Sequence, residues 1–423
     1  MKPLRILHVC TSDKIGGAAR AAHRLHLAQR EAGLDSHMLV LRRSETSPFV
    51  HAPLGKFAQL SHRLKLALAE RIMDLQKTPT NQVFHSANIF DSGLGKWIND
   101  SDFDIVNLHW LGAEMLSIKE IARIRQPIVW TMHDMWPFSG SEHYDDLDNP
   151  ERYVHGYSKN TRPKGYSGLD IDAAVWRLKK RAWSDKHFHL VSPSNWLADC
   201  AKRSALFKNQ PCSVIPNCID TKIFKPIDKQ QARLILNLTP EKKYILFGAI
   251  SSTTDKRKGF HLLQDALKQL SKLDDIRSQT ELLIFGSTAP THPIDLGLHA
   301  NYLGHYHDDI SLALLYSAAD VFVAPSMQDN LPNTLVEAIA CGTQCIGFDV
   351  GGIRDLIKPI LNGQLVQPYE CTQLQKSIKH LLKNTLKSEE IRNESLTLYS
   401  EKIITEKYIN LYKSIYDHET QQK

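Results

Sequence analysis

Residues 320–342 read Asp320-Val321-Phe322-Val323-Ala324-Pro325-Ser326-Met327-Gln328-Asp329-Asn330-Leu331-Pro332-Asn333-Thr334-Leu335-Val336-Glu337-Ala338-Ile339-Ala340-Cys341-Gly342. The run to Ala324 is the short apolar strand of a parallel sheet covered on both faces. Pro332 falls at a helix start and Gly342 at a helix end, so the unit is strand, loop, helix. A helix placed after a parallel strand points its unpaired N–H groups out of the carboxyl edge of the sheet. Asn333, Thr334 and Leu335 would then face a phosphate or another anionic oxygen. Glu337 lies one turn further on, where a carboxylate can accept two hydrogen bonds from vicinal hydroxyls such as those of a ribose. Asp329, in the preceding loop, can reach a second hydroxylated group. Singly, Asp329 also reads as a turn residue and Glu337 as a helix-surface acid; together, flanking one loop after a buried strand, they point to a ligand.

The same unit recurs along the chain. Upstream in this half, strand-like runs occupy Tyr244–Ile250 and Glu281–Phe285, and downstream lies Gln344–Phe348, with helical patterns between them. The first half repeats the rhythm at 4–10, 36–41, 104–109, 127–132 and 187–192, with helical stretches such as Gly17–Ala32 and Asp172–Asp185. The rhythm stops near Val214-Ile215-Pro216-Asn217 and the Pro-flanked stretch to Pro226. The expectation is α/β: two doubly wound, Rossmann-like parallel-sheet domains over 1–215 and 227–399, a linker over 216–226, and a last helix over 400–420.

The chain has 423 residues, 42% hydrophobic and 23% charged, which excludes disorder and collagen-like repeats. No apolar run approaches the ~20 residues that cross a bilayer. The apolar run at the N-terminus is too short for a signal peptide and reads as a buried strand. Seven cysteines with no CxxC pair read as reduced, mostly buried thiols in the cytoplasm. The net charge of +6 is uneven: residues 1–224 carry 30 Lys+Arg against 23 Asp+Glu, and residues 225–423 carry 22 against 23. Nucleic-acid binding usually shows denser basic clusters; an anionic membrane surface or a phosphorylated substrate needs less charge, and an ordinary soluble face needs none of these partners. Phe57, Leu60, Leu64, Leu68, Ile72 and Leu75 recur at helical spacing with Lys56, Arg63, Lys65, Arg71 and Lys77. A helix packed on the sheet is the favoured reading over an interfacial membrane helix, because Glu70 and Asp74 dilute the charge.

Asp329 and Glu337, with the residues between them, resemble the E-x7-E signature of retaining glycosyltransferases of the GT-B fold, family 4 (glycosyl transferases group 1). The resemblance covers nearly the whole chain. Val214-Ile215-Pro216-Asn217-Cys218-Ile219-Asp220, with Phe224 and Pro226, resembles the interdomain VIPNGID segment, Cys218 replacing the usual glycine. Leu303-Gly304-His305-Tyr306 and Leu315-Tyr316-Ser317-Ala318-Ala319-Asp320-Val321 resemble the approach to the signature. The stretch with Tyr408, Leu411, Tyr412 and Tyr416 resembles the final helix that crosses back to the first domain. The resemblance implies two domains facing across a cleft, with a nucleotide sugar held mainly by the second. Two departures stand out: the first acid is Asp329 rather than Glu, and Gly248-Ala249 lacks the arginine that often follows that glycine, although Lys258-Gly259 is present. Lys258 inherits neutralisation of the diphosphate, and Arg257 is the candidate to replace the missing arginine, though an exposed loop cation would look the same.

In the first half Gly16 and Gly17 follow the first strand and open a helix, which suits close approach of a bound group. A tight strand-to-helix turn has the same sequence; the resemblance places these glycines beside the donor diphosphate. His109 and His133 both end strands, at the edge where such folds bind ligands. His133 matches the family's His-Asp position at the reacting sugar, and His109 is assigned to the acceptor side. Tyr306, with His305 and His307, reads as a loop near the base rather than a metal site. The segment Ser139–Asp170 is long and polar, as functional or mobile loops are. Its Asp146-Leu147-Asp148, Asp170-Ile171-Asp172 and the earlier Asp102-Phe103-Asp104 are short enough to arise by chance, so no metal is expected.

The resemblance therefore implies a metal-independent, retaining hexosyltransferase acting on a nucleoside diphosphate sugar. Its acceptor would be a glycan, lipid-linked in cell-surface polysaccharide synthesis, and its place cytoplasmic, peripheral at the inner face of the plasma membrane through contact with anionic lipid. His133, Lys258 and Asp329 would be catalytic; Gly16, Gly17, Arg257, Asn333, Thr334, Leu335, Glu337 and Tyr306 would bind the donor. No cofactor and no nucleic acid are expected. The rivals are a GT-B epimerase or phosphorylase, a non-catalytic sugar-nucleotide-binding protein, and a dinucleotide-dependent oxidoreductase. The last lacks a GxGxxG fingerprint, and its second strand ends in Leu41-Arg42-Arg43 rather than an acid.

Overall fold

The computed structural model describes residues 4–79, 84–147, 151–248, 253–292, 294–306 and 308–421. The chain divides into two units, Met1–Pro216 with Ile404–Lys423, and Asn217–Ile403. Ala249, Asp148 and His307 lie outside the described residues.

Among the described residues the main sheet of unit 1 has seven strands: β1 (Arg5–Ser12), β2 (Asp35–Arg42), β3 (Val50–His51), β4 (Ile105–Leu108), β5 (Ile128–Thr131), β6 (His189–Ser192) and β7 (Cys212–Val214). Their order is β3-β2-β1-β4-β5-β6-β7, and every pairing is parallel. Side chains alternate across a strand. Leu7 and Val9 of β1 enter one apolar cluster and Cys10 the other, so both faces are covered, as the continuous apolar runs require.

Unit 2 repeats the design with β8 (Lys243–Gly248), β9 (Thr280–Phe285), β10 (His299–Tyr302), β11 (Val321–Ala324), β12 (Cys345–Phe348) and β13 (Gly363–Val366). The order is β10-β9-β8-β11-β12-β13, again all parallel. Tyr244 and Leu246 pack on one side, Ile245 and Phe247 on the other. In each sheet the strand order reverses beside the first strand, between β1 and β4 and between β8 and β11. The carboxyl ends of those strands open a crevice, which is where doubly wound sheets bind ligands.

Three expectations need correction. The stretch 216–226 is not a separate linker: from Asn217 it belongs to unit 2, because Ile219 and Phe224 are buried in that unit's core and the Ile219 amide donates to the Tyr399 carbonyl at 2.9 Å. The last helix, Glu401–Gln421, needs no such correction: its residues from Ile404 belong to unit 1. The helix Lys56–Met73 is not packed on the sheet along its apolar stripe: only Ala69 is buried, and Phe57 is 92% and Leu64 66% exposed. Ser139–Asp170 is not an open polar loop, since Ser139, Ser141, Glu142, His143, Asp145 and Asp146 are buried. Lys179 ties its start down by donating to the carbonyls of Gly140 at 2.7 Å and Ser139 at 3.2 Å.

The paired aspartates have structural partners. Asp170 accepts from the Ala173 amide at the start of the helix Ile171–Ala182 and pairs with Arg152 at 2.8 Å. Asp172 accepts from Gln76 at 2.7 Å, and Asp146 from the Tyr166 hydroxyl at 2.9 Å. Among the described residues no group of three His, Cys, Asp or Glu could hold a metal ion, and no helix is long and apolar enough to cross a membrane.

Candidate active site

In unit 2 the loops after β8, β11 and β12 meet. Lys256–Lys258 forms one 3-10 turn, started by Asp255, whose carboxylate accepts from the Arg257 amide at 3.0 Å. Gly259 ends it at φ +71°, and a Cβ there would lie 1.8 Å from the Pro325 carbonyl oxygen, so only glycine lets the two loops touch. The closeness delivers Lys258 to Asp329: Nζ and Oδ2 stand 2.6 Å apart. Arg257 Nη1 lies 3.6 Å from the same oxygen and donates to the Gln328 carbonyl at 2.8 Å. Burial would raise the Asp329 carboxyl, but the Lys258 and Arg257 cations outweigh it and hold the carboxyl below its ordinary value. Burial also lowers the Lys258 ammonium, against the opposing pull of Asp329. Asp329 is therefore an anchor for Lys258, a role its sequence position did not disclose.

A further contact was not legible in sequence. Gly351 sits at φ +53° with its Cα against the Asp329 backbone, where a Cβ would fall 2.1 Å from the carbonyl oxygen, and the Gly352 amide donates to that oxygen at 3.0 Å. A Gly-Gly pair after a strand was the available signal.

The helix Asn333–Ala340 begins beside this group, and no side chain caps it, since Pro332 occupies the cap position. Asn333 accepts from the Asn217 side chain at 3.0 Å. Thr334 is half-buried and Leu335 buried. Glu337 is buried rather than a surface acid, and its Oε2 accepts from the Tyr316 hydroxyl at 2.9 Å. Tyr306 stands in the loop after β10, half-buried against the cluster that includes Tyr316 and Leu335.

In unit 1 Gly16 caps the helix Gly17–Glu31 at φ +100° with no side-chain partner, and its Cα faces open space. Asp13, just before it, is fully buried and clamps the loop by accepting from the Ser44 amide and hydroxyl, both at 2.7 Å. His109 and His133 do converge: Nδ1 of His109 and Nε2 of His133 are 3.0 Å apart. His8, in mid-strand, joins them, its Nδ1 2.9 Å from Nε2 of His109. Burial pushes His133 and His8 down to about 4 and His109 well below its ordinary value, so all three rings are neutral near pH 7. Asp134 is committed elsewhere, accepting from Trp110 Nε1 at 2.9 Å and from the Trp136 amide at 3.0 Å.

Two doubly wound sheets, each with its polar cluster at the switch point, are the architecture of the GT-B glycosyltransferases. Residues 15–223 match the family described as Glycosyltransferase Family 4, and residues 242–384 match Glycosyl transferases group 1. The chain belongs to this family. It is 26% identical over 306 residues to the D-inositol 3-phosphate glycosyltransferase of Acidothermus cellulolyticus, covering 69% of this chain and 62% of that protein. It is 24% identical over 335 residues to the phosphatidyl-myo-inositol mannosyltransferase of Mycobacterium leprae, covering 77% of each. The match to the D-inositol 3-phosphate glycosyltransferase of Mycobacterium ulcerans spans 36% of that protein's length. Among solved structures, sucrose-phosphate synthase from Thermosynechococcus elongatus superposes with a TM-score of 0.66 at 18% identity, covering 98% of this chain and 100% of that one. Anabaena HepE in complex with UDP-glucose superposes with a TM-score of 0.63 at 16% identity, covering 97% and 100%.

Proposed function

We propose that this protein transfers a hexose from a nucleoside diphosphate sugar to a hydroxyl of a glycan acceptor, with retention of configuration and without a metal. The observation that carries the reading is the convergence of Lys258 and Arg257 on Asp329 beside the uncapped start of the helix Asn333–Ala340. Two cations and a helix N-terminus supply the charge that a leaving diphosphate needs, in a partly desolvated place where it counts most. Asp329 holds Lys258 until the diphosphate arrives and then accepts a sugar hydroxyl. Glu337, fixed by Tyr316, accepts from the ribose, and Tyr306 lies at the base. Gly16 and Gly17 serve the donor diphosphate, His133 the reacting sugar and His109 the acceptor, as the family resemblance implies. The acceptor oxygen attacks the anomeric carbon on the face the diphosphate leaves. The carbon–oxygen bond to the phosphate breaks, and the acceptor proton passes to the departing phosphate oxygen.

The names of the relatives support a donor of this class and an anionic or lipid-linked acceptor: one takes inositol 3-phosphate, another phosphatidylinositol, and the HepE structure holds UDP-glucose. The exposed Phe57, Leu60, Leu64 and Leu68 with Lys56, Arg63 and Arg71 suit an anionic membrane surface and support a reading in which the enzyme works at the cytoplasmic face of the membrane in polysaccharide synthesis.

A thermal-shift screen against UDP-, GDP-, ADP- and TDP-sugars tests the donor class, followed by proton NMR of the product with and without EDTA. One nucleotide should raise Tm, the product should keep the donor's anomeric configuration, and EDTA should leave the rate unchanged. An inverted product or EDTA-sensitive turnover would remove the retaining, metal-free mechanism. Nucleotide binding with no transfer to any glycan acceptor would favour a non-catalytic binding protein.

A further inference from the structure

His8, His109 and His133 form a single row on adjacent strands, with ring centroids 5.2 and 5.3 Å apart and ring nitrogens facing at 2.9 and 3.0 Å. A neutral imidazole has one N–H donor and one acceptor nitrogen, so each contact dictates the next and the row as a whole has two states. The choice between them is made at the far end, where His8 Nε2 meets Gln29 Oε1 at 2.9 Å.

Gln29 does not choose alone. Its Nε2 lies 3.3 Å from the hydroxyl of Tyr412, on the last helix. The Asn107 amide satisfies its surroundings with Oδ1 accepting from Tyr412 at 2.7 Å and Nδ2 donating to Thr131 Oγ1 at 3.0 Å. A phenol has one proton. With that proton committed to Asn107, Tyr412 can only accept from Gln29, which must then turn its NH2 to Tyr412 and its carbonyl oxygen to His8. His8 therefore carries its proton on Nε2, His109 on Nε2, and His133 on Nε2. The Nδ1 of His133 carries the lone pair.

We propose that Tyr412, Asn107 and Gln29 are positioning residues that fix the tautomer of His133 through His8 and His109, leaving its Nδ1 as the acceptor nitrogen. The catalytic consequence rests on His133 meeting the reacting sugar; the tautomer does not. A reversed row would present an N–H instead, which repels a hydroxyl proton and rewards an acceptor.

The test is long-range proton–nitrogen correlation NMR on the full chain with 15N-histidine, resonances assigned from His8→Asn, His109→Asn and His133→Asn variants. All three rings should show a protonated Nε2 and an unprotonated Nδ1. Gln29→Met removes the selector and Tyr412→Phe, nearly isosteric, releases it; both should mix the His133 tautomers and lower kcat/KM about tenfold or more, in kcat rather than KM. Gln29→Glu keeps an acceptor facing His8 and should restore the wild-type pattern. A protonated Nδ1 on His133 in the wild type, or an unchanged His133 spectrum in both variants, overturns the relay whatever the transfer rate. A changed spectrum with undiminished transfer supports the relay and removes His133 from the reacting centre.

Discussion

Lys258 illustrates what a residue's neighbours add to its identity. The Lys-Gly pair marked it as a cation for the diphosphate, but only the folded loops show that Asp329 holds it at 2.6 Å and that Arg257 stands behind it. Truncating it removes charge from the leaving group and leaves Asp329 buried with one cation fewer. Lys258→Ala should therefore lower kcat/KM by ~10²-fold or more, and near-normal turnover would remove it from the reaction. Asp145 teaches the converse, because burial pushes its carboxyl up to about 7 although the Glu151 amide donates to it. Its folded value lies above its unfolded one, so the stability it contributes is present at low pH and is lost as pH rises through about 7. Asparagine does not titrate. The stability of Asp145→Asn relative to wild type should rise by about 3 kcal/mol from pH 5 to pH 8, read by urea unfolding at both values. An identical difference at both would mean that the carboxyl is already ionised at pH 5. His109 and His133 were legible as strand ends sharing an edge. His8 was not, because a histidine inside a buried strand carries no signal until its partners are known.

At the scale of elements, the strands of the two parallel sheets that are legible in sequence are the inner ones, and the four that are not are the sheet edges: Val50–His51, Cys212–Val214, His299–Tyr302 and Gly363–Val366. Edge strands are short and half-covered, so they lack the continuous apolar run by which a doubly buried strand is recognised. The helix Lys56–Met73 shows a different limit. Its period was plain, yet a period says only that one face is apolar, not what covers it. The structure leaves Leu60 57% and Leu68 48% exposed, an arrangement expensive in water and favourable in a lipid interface. The double change Leu60→Ser, Leu64→Ser should cut sedimentation with vesicles of anionic phospholipid by about tenfold while leaving nucleotide affinity unchanged. Binding that survives the change but vanishes with added salt would assign the association to charge alone.

The whole chain is built as two units with separate apolar cores, yet its covalent order and its packing disagree at the end. The last helix begins in unit 2 at Glu401 and from Ile404 belongs to unit 1. The buried Tyr408 and Tyr412 explain the return: Tyr408 shares a hydrogen bond with Thr131 at 3.0 Å, and Tyr412 reaches Gln29 and Asn107. Ile404 and Ile415 are buried as well. Each such side chain contributes about 1.5–3 kcal/mol by leaving water, and those from Ile404 onward belong to unit 1. A chain ending at Ile403 should therefore be weakened at its other terminus. Hydrogen exchange should show lost protection in Arg5–Ser12, Ile105–Leu108 and Ile128–Thr131, while Lys243–Gly248 and Val321–Ala324 keep theirs. Nucleotide affinity, which the proposed function assigns to unit 2, should persist in the shortened chain even as sugar transfer fails. Loss of protection confined to unit 2 would show instead that the helix serves the unit it grows from, and that Tyr408 and Tyr412 are passengers in the first.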